Sequence, residues 1–350
     1  MHAGKPGADP AHDPPRHPPR PASLNLIAWD NGVGLTRDLR LLADALRHAG
    51  FDVHLTRIGR GKLRKWLRPT WVRSQLWWQR LRHGSALRFD ANVMLEHVRA
   101  EHLPAARLNL FIPNPEWCLP SDVALFDRVD AVLTKTRHAG PIFASRGCRE
   151  AHIGFTSEDR HDPTVTRERT FFHLAGRSRN KGTQSLLELW RRHPQWPLLT
   201  VVQSPREAKV FTPPVDNIDH RVDYIDDAQL RHLQNRNRFH LCPSETEGFG
   251  HYLVEAMSVG AVTITTDAPP MNELVAADRG MLVGYARTGT QFLATTYHFD
   301  DAAMEAAVLR ALSLEDDELA SLGANARDWF LRNDRRFSAR LKQAIDPLLR

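Results

Sequence analysis

Residues 23–55 read SLNLIAWDNGVGLTRDLRLLADALRHAGFDVHL and predict a strand, a glycine turn, a helix and a second strand. The apolar run at 24–29 ends at the turn DNGVG, and 51–55 begins the second strand. Between them, four leucines recur at spacings of four, three and four residues, which places them on one helix face: Leu35, Leu39, Leu42 and Leu46. A βαβ opening of this kind predicts an α/β fold with a parallel sheet and helices on its faces.

The same alternation continues towards the C-terminus. Further strands are predicted at 107–112, 131–136, 151–154, 171–176, 198–202, 239–242, 262–265 and 281–283. Helices are predicted at 184–192, 228–235, 251–258 and 302–312, with two more over 316–349. The polar stretch at 156–169 interrupts the series, so we predict two Rossmann-like lobes with a cleft between them. The expected boundaries are a disordered Pro-rich tail at 1–22, a first lobe at 23–158, a linker at 159–169, a second lobe at 170–330 and a C-terminal helix at 331–350.

The composition fits a soluble two-domain protein. A chain of 350 residues, 42% of them hydrophobic, is too long for one ordinary core and too apolar to be disordered throughout. No run approaches the ~18 apolar residues of a membrane-spanning helix, and residues 1–21 lack the apolar core of a secretory signal. Three scattered cysteines predict neither a disulfide framework nor a zinc site. The net charge of +6 favours anionic partners, and we expect a cytoplasmic protein.

The glycine turn has three interpretations. Gly32 and Gly34 could open a dinucleotide fingerprint, but Arg37 stands where the third glycine belongs, and the acid Asp52 begins the second strand instead of ending it. The turn could simply join strand and helix. It could also bring backbone N–H groups to a phosphate or sugar, which requires a nucleotide site in the second lobe.

The second lobe carries such a candidate site. Residues 243–257, PSETEGFGHYLVEAM, follow a strand and enter a helix. Gly248 and Gly250 allow a ligand close to the backbone, and the helix N-terminus offers N–H groups to a diphosphate. Glu247 can accept hydrogen bonds from sugar hydroxyls, and the two oxygens of Glu255 can accept both hydroxyls of a ribose.

A basic loop precedes this motif. Residues 176–182, GRSRNKG, again join a strand to a helix. Arg177 and Lys181 would supply cations to phosphates held in the cleft. The alternative is a solvated basic loop without a ligand.

Together these segments resemble the retaining GT-B glycosyltransferases of family 4, whose second lobe carries a glutamate, seven residues and a second glutamate. Glu247 and Glu255 match that spacing, and the basic loop matches at family spacing. The resemblance covers roughly residues 165–335. It implies a GT-B fold: two Rossmann-like doubly wound lobes that face a central cleft, with C-terminal helices packing back towards the first lobe.

The resemblance also implies roles for the matched residues. Arg177 and Lys181 would neutralise the departing diphosphate, Glu247 would hold the transferred sugar, and Glu255 would hold the nucleotide ribose. The sugar-phosphate site would be lined by backbone groups of Gly248, Phe249 and Gly250. The nucleotide-sugar is a substrate, so no cofactor is implied. The chain contains no Asp-x-Asp, and we predict that no metal is needed.

One family feature has no clear match in the first lobe. Many members place a histidine near the end of a middle strand, beside the donor sugar. Residues 111–117 read FIPNPEW at the corresponding place. The candidates for the histidine's position are Asn114, Glu116, His97, His138 and His251.

A second basic segment is rich in tryptophan. Residues 57–88 hold ten Arg or Lys, no acid, and four tryptophans: Trp66, Trp71, Trp77 and Trp78. Indoles and cations together suit an anionic membrane surface. Alternatively, the tryptophans pack into the first lobe beneath a solvated basic face. Nucleic-acid binding is not predicted, since no nucleic-acid motif accompanies the segment.

The sequence therefore predicts a hexosyltransferase-like enzyme that moves a sugar from a nucleotide-sugar to a glycan, glycolipid or lipid-linked acceptor with retention of configuration. It would be cytoplasmic and peripheral on the inner face of the membrane. Two alternatives remain: a nucleotide-sugar epimerase of the same fold, and a non-catalytic basic protein that binds membrane surfaces.

Overall fold

The structure of the chain is a computed structural model that describes residues 20–29, 34–59, 62–85, 87–208 and 215–350. Within these residues, two six-stranded parallel sheets form the two lobes. Of the residues singled out above, Gly32 lies outside the described part of the chain.

The first lobe contains a sheet of strand order β2-β1-β3-β4-β5-β6. Its elements are β1 Ser23–Trp29, α1 Gly34–His48, β2 Asp52–Ile58, α2 Lys62–His83, β3 Phe89–Leu95, β4 Ala106–Ile112, α3 Pro120–Val123, β5 Ala131–Thr134, α4 Ala139–Ala144 and β6 Glu150–His152. All neighbouring strands are parallel. The strand order changes direction between β1 and β3, which is where doubly wound sheets bind ligands.

The second lobe contains a sheet of order β12-β11-β10-β7-β8-β9, with its change of direction between β7 and β10. Its elements are β7 Glu168–Gly176, α5 Thr183–Arg191, β8 Leu199–Gln203, β9 Ile218–Arg221, α6 Asp227–Arg236, β10 Asn237–Cys242, α7 His251–Ser258, β11 Val262–Thr266, α8 Met271–Leu274, β12 Gly280–Val283, the hairpin strands β13 Tyr285–Gln291 and β14 Ala294–Phe299, α9 Asp301–Ser313 and α10 Asp316–Leu349. The predicted pair of doubly wound lobes is confirmed.

One hydrophobic core joins the lobes. The four leucines of the predicted α1 stripe are buried, as the spacing requires. Against α1 pack Phe337, Leu341 and Ile345 of α10, in the same cluster as the α7 residue Leu253. The expected return of the C-terminal helix to the first lobe is thereby confirmed.

The prediction of two helices over 316–349 is wrong, and so is a separate helix starting at 331. A single helix of 34 residues spans this region. Its buried residues recur at helical spacing along its length, so nothing in the stripe divides it: Leu319, Gly323, Ala326, Phe330, Phe337, Leu341 and Ile345.

Four strands were not predicted. β3 carries a buried asparagine inside its apolar run, which obscures the strand pattern. Asn92 accepts a hydrogen bond from Asn25 on β1 (2.9 Å) and donates one to Asn109 on β4 (2.8 Å). The edge strand β9 and the hairpin β13–β14 are mainly polar and only partly buried, so they show no core-facing alternation.

Candidate active site

The carboxyl ends of strands from both sheets line one cleft of about 800 Å³. The first lobe contributes residues that follow β1, β3, β4 and β5, and the second lobe contributes residues that follow β7, β8 and β10. Both changes of strand direction open into this cleft, as expected for a ligand site in paired doubly wound sheets.

The structure brings most of the predicted residues together here. Seven of them line the cleft: Arg177, Lys181, Glu247, Gly248, Phe249, Gly250 and Glu255. Gly34 is the first residue of α1. Arg177 is exposed and has no ion-pair partner among the residues that the structure describes.

Lys181 and Glu247 form an ion pair at the mouth of the second lobe. The Ser244 hydroxyl donates to the same Glu247 oxygen, Oε1, and also bonds the Tyr252 hydroxyl. The Lys181 ammonium lies over the Tyr252 ring, 3.6 Å from its centroid. The cation is therefore held from two sides in a fixed position facing the cleft.

The loop around these residues depends on two glycines. Gly250 is the N-cap of α7 and has φ +102°, a conformation that L side chains rarely adopt. Gly248 lies so close to the first lobe that a Cβ there would be 2.3 Å from the Asn114 side-chain oxygen. A larger residue at 248 would therefore require the Asn114 side chain or the loop backbone to move.

Glu255 is only 1% exposed and is already paired in this structure. Arg37, in the first turn of α1, donates to Oε1, and Gln234 donates to Oε2 at 2.9 Å. The Glu255 charge raises the pKa of Arg37, against the opposing effect of burial. The ribose role of Glu255 remains a prediction, and a bound ribose would share this carboxylate with both partners.

A second interlobe network surrounds Asp38. Its carboxylate accepts from Lys135 Nζ at 2.6 Å and lies 2.7 Å from His251 Nε2. His251 Nδ1 in turn lies 2.8 Å from the Ser157 hydroxyl oxygen. Burial alone would raise the pKa of Asp38, but Lys135 and His251 hold it well below its ordinary range. Asp38 is therefore ionised at neutral pH and ties α1 to α7.

No role for Arg37, Asp38 or Lys135 was predicted from the sequence. Their positions in the chain could have indicated that they are site residues, because Arg37 and Asp38 lie near the start of the helix after the glycine turn, and Lys135 directly follows β5. Residues at these places lie at the ligand edge of a parallel sheet.

The five candidates for the position of the family histidine differ in whether they line the cleft. Asn114, Glu116, His97 and His251 line the cleft, whereas His138 does not. The backbone N–H of His138 donates to the Glu273 carboxylate of the second lobe instead.

His97 follows the unpredicted strand β3. Its Nδ1 lies 2.9 Å from Asp122 Oδ2, and its Nε2 lies 3.7 Å from the Glu96 carboxylate. Burial raises the pKa of Glu96, while His97 opposes that shift. No group of three or more potential metal-ligating His, Cys, Asp or Glu side chains occurs among the described residues.

The family model of glycosyl transferases group 1 matches residues 156–329, which contain both glutamates and both cations of the site. The chain belongs to the glycosyl transferases group 1. Among curated proteins, no sequence matches this glycosyltransferase.

Solved structures share the fold of this glycosyltransferase. Sucrose-phosphate synthase of Thermosynechococcus elongatus has a TM-score of 0.68 at 15% identity, over 93% of this chain and 99% of that chain. A glycosyltransferase of Rickettsia africae ESF-5 has a TM-score of 0.65 at 13% identity, over 94% and 98%. HepE of Anabaena, solved in complex with UDP and glucose, has a TM-score of 0.65 at 13% identity, over 94% and 99%. The GT-B arrangement is therefore confirmed.

Proposed function

We propose that this glycosyltransferase moves a sugar from a nucleotide-sugar donor to a glycan, glycolipid or lipid-linked acceptor, with retention of configuration and without a metal ion. The observation that carries the proposal is the fixed Lys181 ammonium beside Glu247, with the unpaired Arg177 on the same wall of the cleft. Retention is proposed from the spacing of Glu247 and Glu255, which matches the retaining enzymes.

The chemistry of the donor supports these assignments. A nucleoside diphosphate leaves with additional negative charge, which preorganised cations and N–H dipoles stabilise in the transition state. Lys181 and Arg177 supply the cations, and the N-terminus of α7 supplies N–H dipoles. These groups take the place that a divalent cation has in other transferases.

A donor panel tests the proposal. We expect the protein to bind and slowly hydrolyse one class among UDP-, GDP- and ADP-sugars, at the same rate with EDTA as with Mg²⁺. NMR of the released sugar should first show the anomer of the donor. An epimerase would instead change the sugar while it stays on the nucleotide. If no donor is bound or turned over, or if Mg²⁺ restores an activity lost in EDTA, the proposal is wrong.

We further propose that α2 holds the enzyme at an anionic membrane surface, on the cytoplasmic side. The inner face of α2 packs on the lobe through Val72 and Leu76, which form a small cluster with Ala105. The outer face is apolar and exposed at five positions: Leu67, Trp71, Trp77, Trp78 and Leu81. Three of the four tryptophans of the basic segment therefore face solvent. The side chain of Trp66 is not among those that the structure describes.

The charges around this face complement anionic lipid. Exposed Arg73 and Arg80 lie along one side of the apolar stripe, and Arg82 follows it on the other side. Interfacial helices place indoles at the headgroup level and meet lipid phosphates with flanking cations. No helix among the described residues has the length and hydropathy of a transmembrane span.

Vesicle pelleting checks this surface. We expect wild-type protein to pellet with vesicles of phosphatidylglycerol and phosphatidylcholine, and to stay in solution with phosphatidylcholine alone. Trp71→Ser/Trp78→Ser should lower the affinity for these vesicles by roughly 30-fold or more, since each buried aromatic contributes on the order of 1–2 kcal/mol and about 1.4 kcal/mol is tenfold in affinity. Leu81→Ser should have a smaller effect, and Leu309→Ser on α9 should have none.

Leu81 and Leu309 are a matched pair, because they are exposed to 59% and 58%. Equal binding to both vesicle types would remove the requirement for anionic lipid, and failure to bind either type would remove the membrane from the proposal. An equal effect of both leucine substitutions would show that α2 is not the contact.

A further inference from the structure

A second cavity, of about 210 Å³, lies in the second lobe outside the cleft. Arg167 precedes β7, Arg238 lies at the start of β10, and Gly260 precedes β11, so the cavity is at the amino ends of these strands. The cleft is at the carboxyl ends of β7 and β10, on the opposite edge of the same sheet. The N-terminal part of α10 forms one wall of the cavity through Gly323 and Arg327.

The lining of this cavity is strongly basic. It includes three arginines, Arg167, Arg238 and Arg327, and no acidic residue among those that the structure describes. Asp159 binds Arg327 from outside the lining, with its two carboxylate oxygens 2.5 and 2.8 Å from the guanidinium nitrogens. The charges of Arg167 and Arg238 are left without an ion-pair partner in the described part of the chain.

Two of the three arginines also have a structural role. Arg167 Nη1 donates to the Val259 carbonyl oxygen at 3.0 Å, and Arg327 Nη1 donates to the Ser258 carbonyl oxygen at 2.6 Å. Both arginines therefore cap the C-terminal end of α7, where the helix dipole favours a cation. Arg238 makes no such hydrogen bond within the described structure, so helix capping does not explain its position.

Arg238 is a half-buried cation beside another cation. Burial and the charge of Arg238 lower the pKa of Arg167 to about 10, because like charges at this distance repel. Arg167 Nε and Nη2 are enclosed by protein, so a ligand would feel the charge of Arg167 without contacting these atoms. The guanidinium nitrogens of Arg238 are not among the enclosed atoms, and they are free to contact a ligand in the cavity.

We infer that this cavity binds the phosphate group of a small soluble molecule, which Arg238 contacts directly and the charge of Arg167 attracts. A dianion offsets the two unpaired cations, and the planar guanidinium matches the spacing of phosphate oxygens. The cavity is smaller than the roughly 300–1,000 Å³ of sites for drug-sized ligands, so it takes the phosphate group and few further atoms. None of the exposed large apolar side chains in the described residues lines it, which favours a soluble ligand over a lipid headgroup.

The cavity is lined by three parts of the chain that also position the cleft. His161 and Arg167 belong to the segment between β6 and β7, which joins the two lobes. Val259 and Gly260 follow α7, whose N-terminus faces the cleft, and Arg327 lies on α10, which packs on α1. A phosphate group bound among these parts should therefore stabilise the folded chain as a whole.

Inorganic phosphate and glycerol 3-phosphate serve as probes, titrated by calorimetry at constant ionic strength in chloride. Wild type and the cleft variant Arg177→Met/Lys181→Met should share one phosphate site, because the variant removes cations of the cleft only. Adding Arg238→Met to the cleft variant should weaken binding at least about tenfold. Adding Arg236→Met instead is the matched control and should change affinity less than about twofold, since Arg236 is paired with Glu168 and does not line the cavity.

Thermal unfolding distinguishes a ligand contact from a structural arginine. Without phosphate, adding Arg238→Met to the cleft variant should leave Tm unchanged or raise it, because a repelled charge is removed. Phosphate should raise the Tm of the cleft variant and should not raise it once Arg238 is replaced. Failure of both probes to bind wild type, unchanged affinity after Arg238→Met, an equal loss after Arg236→Met, or a lower Tm of the Arg238→Met protein without phosphate would each overturn the inference.

Discussion

Replacing Lys181 with methionine should lower kcat for sugar transfer about 10²-fold or more, by comparison with the loss of one preorganised charge stabiliser. The ammonium is fixed between Glu247 and the Tyr252 ring, so it needs no reorganisation as the diphosphate leaves. Because this stabilisation develops in the transition state, kcat should fall more than donor affinity. Steady-state kinetics with the donor found in the panel, together with nucleotide affinity, measure both quantities.

Two further variants, one control and one second active-site substitution, test this prediction. Arg179→Met removes a cation from the same loop, but Arg179 is exposed, is paired with Glu207 and does not line the cleft, so its rate should match wild type. Arg177→Met should lower kcat by a comparable factor to Lys181→Met. Because Arg177 has no ion-pair partner in the described part of the chain, its removal leaves no acid uncompensated. Wild-type rates in both active-site variants would contradict the assignment.

The sequence predicted the strand, loop and helix that carry the second-lobe candidate site, because these elements are local. A buried strand, a glycine loop and a helix N-terminus are adjacent in the chain, and α7 spans the residues that the pattern indicated. The two matched segments, 176–182 and 243–257, follow β7 and β10, which are neighbours in the sheet. Strand adjacency then brings both loops to one place.

The first-lobe half of the site could not be predicted in the same way. His97 follows β3, whose apolar strand pattern is interrupted by a ladder of buried asparagines. The backbone of Glu116 is held by a hairpin about 175 residues away in sequence. The ion-pair partner of Glu255 is Arg37, 218 residues distant, and tertiary contacts such as the packing of α10 on α1 bring their lobes together. These contacts depend on how two lobes dock, for which local periodicity carries no signal.

Arg37→Met should lower the free energy of unfolding by roughly 3 kcal/mol, because Glu255 would keep a buried charge without its cation. Gln234 still donates one hydrogen bond to this carboxylate, which limits the loss. Urea unfolding followed by circular dichroism measures the change. Arg40→Met, an exposed arginine on the same helix, is the matched control and should stay within about 0.5 kcal/mol of wild type.

The double variant Arg37→Met/Glu255→Gln distinguishes an ion pair from simple loss of packing. Removing both charges leaves no unpaired charge, so the double variant should be more stable than Arg37→Met alone, with a coupling energy of about 2 kcal/mol. Additive effects would mean that Arg37 acts through its apolar stem. Since Arg37 belongs to α1 and Glu255 to α7, a measured coupling would also establish that the pair joins the two lobes across the cleft in solution.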